Sequence, residues 1–277
     1  MRAPPLPPPQ PVYRRRTRRR KSLLLSFIGW SFAAFVVLFL VGSAGAGYVL
    51  WQASKDLPDY ESLASYEPPV MTRIHAHDGS LIAEYARERR IFVPINTIPK
   101  RVIAAFLSAE DSRFYEHGGL DIQGIARAVF KIVEGKMKGS DRRAEGASTI
   151  TQQVAKNFLL TSDRTLDRKI KEAILAIRIE RAYSKDKILE LYLNEIYLGI
   201  GAYGVAAASL AYFNKELKDL TVEEAAYLAA LPKAPNNYHP FRQTARATER
   251  RNWIIGQMAE NGYITKEEDG EARAKPL

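Results

Sequence analysis

Residues 109–119 have the sequence AEDSRFYEHGG, which places two adjacent carboxylates, an aromatic side chain and a histidine between an apolar segment and a Gly-Gly pair. Helical spacing puts Glu110, Phe114 and His117 on one face. A carboxylate beside apolar and aromatic side chains is in a setting that raises its pKa toward neutrality, which suits a general acid or base. The stretch therefore predicts an active site at the end of a helix.

The chain around this stretch is predicted to be mainly α-helical. From Pro99 onward the hydrophobic pattern is helical and favours helices over 99–115, 121–134, 148–159, 164–183, 185–197, 202–213, 221–230 and 244–260. Before them, Asp78-Gly79 lies between the alternating runs 72–76 and 81–85, which predicts a small β-hairpin. The charged, glycine-rich stretch 135–146 predicts a mobile loop beside the site.

A second constellation occupies residues 145–157, with the sequence EGASTITQQVAKN. Thr149 and Gln152 have capping-box spacing, so a helix is expected to begin there. A helix N-terminus behind a glycine, with hydroxyls, amides and a lysine one turn in, is a good anion site. Its candidate binding residues are Ser148, Thr149, Gln152, Gln153, Lys156 and Asn157. The alternative is plain capping of a surface helix. Capping explains the two hydroxyls, but it does not explain why the amides and the lysine lie together on faces of the helix.

Three further patterns have ordinary structural explanations when each is taken singly. The i,i+4 spacing of Arg168 and Glu172 predicts a surface ion pair. Ser184 precedes a helical run and is expected to be an N-cap. The pair Arg250-Arg251 falls on the last amphipathic helix, where a structural role is expected.

The N-terminal region predicts a membrane anchor. Residues 1–21 are Pro- and Arg-rich, hold eight Lys/Arg and no acid, and are expected to be a disordered cytoplasmic tail. The next 33 residues carry no charge, so 22–50 are predicted to form one transmembrane helix with the basic side in the cytoplasm. Cleavage as a signal peptide at 44–46 is the first alternative, although the apolar run is longer than is usual. A nucleic-acid-binding arm is the second, but basic residues directly before a span are better explained by topology and anionic lipid.

Composition excludes several classes of site. The chain has 277 residues and a net charge of +10, but without the first 21 residues the balance is only +2. Cysteine is absent and only His75 and His77, of four histidines, lie close in sequence. Neither a disulfide framework nor a thiolate or zinc site is therefore expected.

Taken in order, the patterns resemble the five motifs of the family 51 peptidoglycan glycosyltransferases. These motifs are a Glu-Asp-x-x-Phe-x-x-His-x-Gly sequence, Gly-x-Ser-Thr-x-Thr-Gln-Gln, Arg-Lys-x-x-Glu, Lys-x-x-Ile-Leu-Glu-x-Tyr-Leu-Asn and a late Arg-Arg pair, and all lie between Glu110 and Arg251. The basic tail and single span also resemble class A penicillin-binding proteins of the 1A type. Those proteins continue into a transpeptidase domain, so we expect either the N-terminal portion of a bifunctional enzyme or a monofunctional transglycosylase.

The resemblance implies an inverting, hexosyl-type transferase that polymerises lipid II and releases undecaprenyl diphosphate during cell-wall synthesis. By position in the motifs, Glu110 is similar to the family's general base and Glu172 to its second carboxylate, near the departing diphosphate. Lys156, Arg168 and Lys169 would neutralise that diphosphate. The remaining candidates for substrate contact are Asp111, Phe114, His117, Ser148, Thr149, Gln152, Gln153 and Asn157.

The same resemblance implies a lysozyme-like domain over 71–265, after a linker at 51–70 and before a further linker or C-terminal tail at 266–277. The domain would face the periplasm, with lipid II, the growing glycan-lipid chain, the membrane and a cell-wall synthesis complex as partners, and without nucleic acid. No cofactor is required; the diphosphate could carry a divalent cation such as Mg²⁺, for which no protein ligand set is recognisable. The alternatives are a lytic transglycosylase or muramidase of related fold, and a non-catalytic cell-wall scaffold.

Overall fold

The computed structural model describes residues 23–64, 66, 72–78, 81–85, 89–137, 148–160 and 165–277. The predicted cytoplasmic tail and most of the predicted mobile loop lie outside the described residues. The chain divides into two compact units, one up to Gln52 and one from Ala53 to Leu277.

The first helix, α1, spans Leu23–Lys55 and is a candidate membrane span by length and composition over Ser26–Lys55. Its large apolar side chains from Phe27 to Trp51 are exposed all around the helix, which is typical of a helix that lipid rather than protein surrounds. The helix continues five residues beyond the predicted span, because the charge-free sequence runs on past residue 50.

The second unit is mainly helical, as predicted. Nine helices follow one another in the described part of the chain: α2 Lys100–Glu110, α3 Ile122–Met137, α4 Ile150–Leu159, α5 Leu166–Ala182, α6 Lys185–Glu195, α7 Val205–Phe213, α8 Val222–Ala230, α9 Thr244–Glu260 and α10 Lys266–Ala274. Short 3-10 turns lie at Glu61–Leu63, Ile95–Thr97, Leu217–Asp219 and Pro235–Tyr238.

The predicted hairpin is confirmed. Strands β1, Thr72–His75, and β2, Leu81–Tyr85, pair antiparallel with a register shift between Ile74 and His75. A second, unpredicted pair joins β3, Arg89–Arg90, in parallel to β4, Ala202–Tyr203.

Gly204 sets the start of α7, three residues later than predicted. Its φ of 77° is in the left-handed region, and a Cβ there would lie 2.6 Å from the carbonyl oxygen of Asn194. Because only glycine fits both conditions, residues 202–203 leave the helix and form β4.

Two groups of helices form the core and place the site between them. Helix α8 packs on α2 and α9, whereas α4 packs on α5 and α6. Phe106 of α2 contacts Tyr192 of α6 edge to face, with ring centroids 6.2 Å apart, and so joins the two groups. Glu110, one turn after Phe106, lies where the groups meet.

Helix α10 occupies most of residues 266–277, the stretch expected to be a following linker or C-terminal tail. Thr265 and Glu268 form a capping box at its start, and the last residues pack back on α9. The buried guanidinium of Arg251 donates to the carbonyl oxygens of Pro276 at 2.8 Å and Lys275 at 2.9 Å. The predicted structural role of Arg251 therefore agrees with its contacts.

Candidate active site

The half-buried carboxylate of Glu110 lies at the last residue of α2. The side-chain amide of Gln153, on α4, donates to its Oε2 at 2.7 Å. Burial raises the pKa of Glu110; the Gln153 hydrogen bond and the positive charges of Arg250, Lys156 and Lys233 oppose this without reversing it. The direction is the one that the sequence predicted, and it suits a group that must accept a proton near neutral pH.

Asp111 ends α2 instead of continuing it, so the helix stops before the predicted residue 115. Its Oδ2 accepts from the backbone N–H of Ile150 at 3.0 Å, which caps the start of α4, and both its oxygens lie 3.0 Å from His117 Nε2. The backbone N–H of Gly119 donates to His117 Nδ1 at 3.3 Å, so Nε2 carries the proton that faces Asp111. We call this arrangement of Asp111, His117 and the start of α4 the clamp.

Phe114 lies in the core at 1% exposure, with the ammonium of Lys185 over its ring at 4.3 Å from the centroid. The same ammonium donates to the carbonyl oxygen of His117 at 2.6 Å and to Glu180 at 2.7 Å, and Glu180 also accepts from Thr151 at 2.5 Å. The first residue of α6 thus holds the loop after α2 against α4. In this placement Phe114 presents no surface to a ligand, and Asp111 and His117 make structural contacts.

The N-terminus of α4 has the predicted capping box. Thr149 Oγ1 accepts from the backbone N–H of Gln152 and donates to the carbonyl oxygen of Gly119 at 2.6 Å, and Gln152 Oε1 accepts from the backbone N–H of Thr149 at 2.9 Å. These two buried side chains are therefore engaged in the cap. Asn157 is exposed near the end of the helix.

Lys156 lies on α4 three residues after Gln153 and is half-buried. Burial lowers its pKa, the carboxylates of Glu172 and Glu110 raise it, and the cations of Arg168 and Lys169 lower it. Lys156 therefore interacts electrostatically with both predicted catalytic carboxylates. The other two predicted phosphate-binding cations, Arg168 and Lys169, lie close enough to repel it.

Helix α5 presents the rest of this cationic cluster, defined by Lys156, Arg168 and Lys169. Lys169 forms an ion pair with the buried carboxylate of Glu172 and donates to Ser148 Oγ at 2.8 Å. The predicted pairing of Arg168 with Glu172 is replaced by this i,i+3 pair. Within the described residues, the buried Nε–H of Arg168 has no hydrogen-bond partner, which leaves a donor for an anion.

Arg250 and Lys233 also act on Glu110, and sequence reasoning missed both. The Arg250 guanidinium lies 4.1 Å from the centroid of the Trp253 ring, and its Nη2 is 3.5 Å from the carbonyl oxygen of Ala109. Adjacent helical residues point about 100° apart, so the Arg-Arg pair could have been expected to place one member in the core and the other elsewhere. The sequence of the turn that carries Lys233 contains no pattern that would predict its position near Glu110.

The site combines a group that can accept a proton with neighbouring cations that can bind an anion. Glu110 supplies a carboxylate that is poised for protonation, and the cationic cluster supplies positive charge next to it. Within the described part of the chain, no group of three or more His, Asp or Glu side chains could hold a metal ion.

The transglycosylase family matches residues 78–259, more than half of the chain. The chain therefore belongs to the transglycosylase family, and the resemblance drawn from the five motifs is confirmed. Among relatives, penicillin-binding protein 1A of Rickettsia felis is 54% identical over 243 residues, which are 88% of this chain and 30% of that protein. Penicillin-binding protein 1A of Escherichia coli is 44% identical over 254 residues, 91% of this chain and 29% of that protein.

A crystal structure of penicillin-binding protein 1A from Haemophilus influenzae matches 76% of this chain and 21% of its own, at 29% identity and a TM-score of 0.43. The chain thus spans less than a third of the length of these relatives.

Proposed function

We propose that this domain is a peptidoglycan glycosyltransferase that polymerises lipid II and releases undecaprenyl diphosphate. The observation that carries the proposal is the position of Glu110, a carboxylate with a raised pKa beside the cationic cluster. A lipid-linked sugar diphosphate needs both parts, because its transfer requires a base for the attacking hydroxyl and positive charge for the leaving group.

In the proposed reaction, the 4-hydroxyl of the incoming lipid II attacks the anomeric carbon of the growing chain. Its proton passes to Glu110, a new glycosidic C–O bond forms, and the bond from the anomeric carbon to the phosphate oxygen breaks with inversion. The electron pair of that bond leaves on the diphosphate, whose charge Lys156, Arg168 and Lys169 stabilise. Gln153 orients the base through its hydrogen bond to Oε2.

Glu172 has a different part in this proposal from Glu110. Its buried carboxylate holds Lys169, which also donates to Ser148. Glu172 therefore fixes a phosphate-binding lysine at the departing diphosphate rather than accepting the substrate proton. Asn157, exposed on α4, is available to contact sugar or phosphate.

The lipid nature of the substrate is supported by a second exposed apolar surface, on α3. None of its residues is buried, and Ile122, Val129, Phe130, Val133 and Met137 are each more than half exposed. An amphipathic helix with such a face is typical of contact with a membrane surface. Together with the basic residues that precede α1, this supports an N-terminus in the cytoplasm and a catalytic domain at the outer face of the membrane.

The test uses the full chain in detergent with purified lipid II. We expect glycan polymer on a gel from the native chain and none from Glu110→Gln, whose folding is checked by circular dichroism. Shortened fragments from isolated sacculi, without polymer from lipid II, would point instead to a lytic enzyme. Equal polymer from the native chain and Glu110→Gln would overturn the base assignment, and no product from either would favour a scaffold.

The protein is expected to need no metal, because its own cations lie at the proposed diphosphate site. Polymerisation by the full chain should retain most of its rate in excess EDTA, and added Mg²⁺ should change it by less than about threefold, because such an ion would only bind the substrate diphosphate. Loss of polymerisation in EDTA with recovery in Mg²⁺ would contradict this.

A further inference from the structure

Tyr192, on α6, carries a buried hydroxyl close to the candidate active site. The residue is 1% exposed, and within the described part of the chain its hydroxyl is buried without a hydrogen-bond partner. A buried hydroxyl left unpaired costs free energy relative to water, so such a group in a folded protein calls for an acceptor.

The surroundings of Tyr192 point to the end of α2. Its ring packs against Phe106, which lies four residues before Glu110 and therefore on the same face of that helix. Helix α6 also packs against α4, the helix that supplies Gln153 to Glu110. Burial raises the pKa of Tyr192 well above its usual value, and the negative charges of Glu110 and Asp111 raise it further. The hydroxyl thus stays protonated, as a donor within electrostatic reach of two carboxylates.

Of these two carboxylates, Glu110 accepts from fewer donors and so has the larger open acceptor capacity. Both oxygens of Asp111 are already engaged in the clamp, by His117 and by the N–H of Ile150. Among the described residues, Glu110 accepts a hydrogen bond from Gln153 at Oε2, which leaves the other lone pairs of its carboxylate unfilled.

We propose that the Tyr192 hydroxyl donates a hydrogen bond to the carboxylate of Glu110 through one bridging water, and so acts as a positioning residue for the base. This rests on the proposed function of Glu110. A neutral donor beneath the carboxylate favours its charged form and fixes its orientation, while the outer lone pairs stay free for the sugar hydroxyl.

The main test compares Tyr192→Phe with Tyr183→Phe in the full chain. Both substitutions remove one hydroxyl, but that of Tyr183 donates to the backbone of Tyr60 and Glu61, away from Glu110. For Tyr192→Phe we expect the acid limb of the polymerisation pH profile to move to higher pH by roughly 0.5–1 unit, the worth of one hydrogen bond to the charged form. Tyr183→Phe should leave the limb in place. An unchanged limb in Tyr192→Phe would overturn the inference and leave the proposed function intact.

A second measurement is independent of catalysis and of the folding of the Tyr192 variant. With tyrosine labelled at Cζ, one buried ring signal of the native chain should titrate together with the Glu110 carboxyl, and this step should vanish in Glu110→Gln. If the native chain makes no polymer from lipid II, the proposed function fails, but this titration still decides the contact. Absence of the linked step in the native chain would refute the inference.

Discussion

Glu110 and Asp111 are neighbours in sequence, yet they belong to two different regions of the domain. Glu110 faces Gln153, Lys156 and Arg250, with one amide donor and positive charges around a carboxylate that burial destabilises. Asp111 turns into the clamp, where it is buried and its oxygens are met by His117 and the N–H of Ile150.

These different surroundings indicate different roles for the two carboxylates. A carboxylate that accepts hydrogen bonds from buried donors of the fold is part of the structure, because removing it leaves those donors unpaired. A carboxylate with raised pKa and open acceptor capacity reduces the stability of the fold, and such groups are typical of functional sites. Substitutions in the two regions should therefore differ in their effects on activity and on stability.

Glu110→Gln should have the largest effect on activity. We expect polymerisation to fall by about 10²–10⁴-fold, the usual contribution of a general base. The same substitution should raise the thermal midpoint at neutral pH. Because the pKa of Glu110 is raised in the folded state, the native chain loses stability as the pH rises through that pKa, and glutamine avoids this loss.

The measurement is thermal unfolding of both full chains by circular dichroism across a pH series. The gap between the variants should be largest at neutral pH and should close as the pH falls below the ordinary range of a glutamate. A native chain that is the more stable at neutral pH would show that Glu110 contributes to the fold as Asp111 does, and the contrast would be lost.

Lys156→Gln should have the next largest effect, a fall of about 10–100-fold in polymerisation, because one cation at the proposed leaving group is lost. Lys156 also lowers the pKa of Glu110, so its removal should move the acid limb of the pH profile to higher pH. Lys218→Gln, an exposed lysine paired with Glu216, is the matched control and should change neither quantity. If the rate fell while the acid limb of the pH profile stayed in place, Lys156 would not act on the pKa of Glu110.

The adjacent arginines of α9 extend the comparison. Arg250→Gln should lower polymerisation about tenfold with little change in stability, because its guanidinium acts on Glu110 from the surface of Trp253. Arg251→Gln should instead destabilise the fold by about 3 kcal/mol, since three backbone carbonyls would lose a buried partner. Rates per folded molecule and thermal midpoints measure both effects, and equal loss of stability in the two variants would contradict the assignment.

The sequence predicted the features of this site that depend on residues close together in the chain, and it missed those that depend on distant residues. The capping box at Thr149, the N-cap at Ser184 and the hairpin were predictable because each is fixed within a few residues. The end of α2 was placed too late, because what stops the helix is a bond from Asp111 to Ile150, far along the chain. Helix α10 was missed because its sequence is strongly charged, and contacts to Arg251 hold the chain that follows it.

The same limit applies to roles within the site. Spacing placed Phe114 and His117 on the face of Glu110, but it could not show that one is in the core and the other is bound to Asp111. Lys169, rather than Arg168, pairs with Glu172 and also contacts Ser148 across the site, which the spacing of the motif could not show. Arg250 and Lys233 reach Glu110 only through the fold.

Asp111→Asn should have the smallest effect on the rate per folded molecule, within a few-fold, and its main effect on stability. Asparagine keeps the shape, and its oxygen can still accept from Ile150, but it leaves His117 without an acceptor of full charge. We expect a loss of about 1–3 kcal/mol, measured as a lower thermal midpoint, whereas Glu116→Gln, at an exposed position in the same loop, should leave it unchanged. If Asp111→Asn instead lost polymerisation as completely as Glu110→Gln while remaining as stable as the native chain, Asp111 would belong with the base, and the two regions would be one.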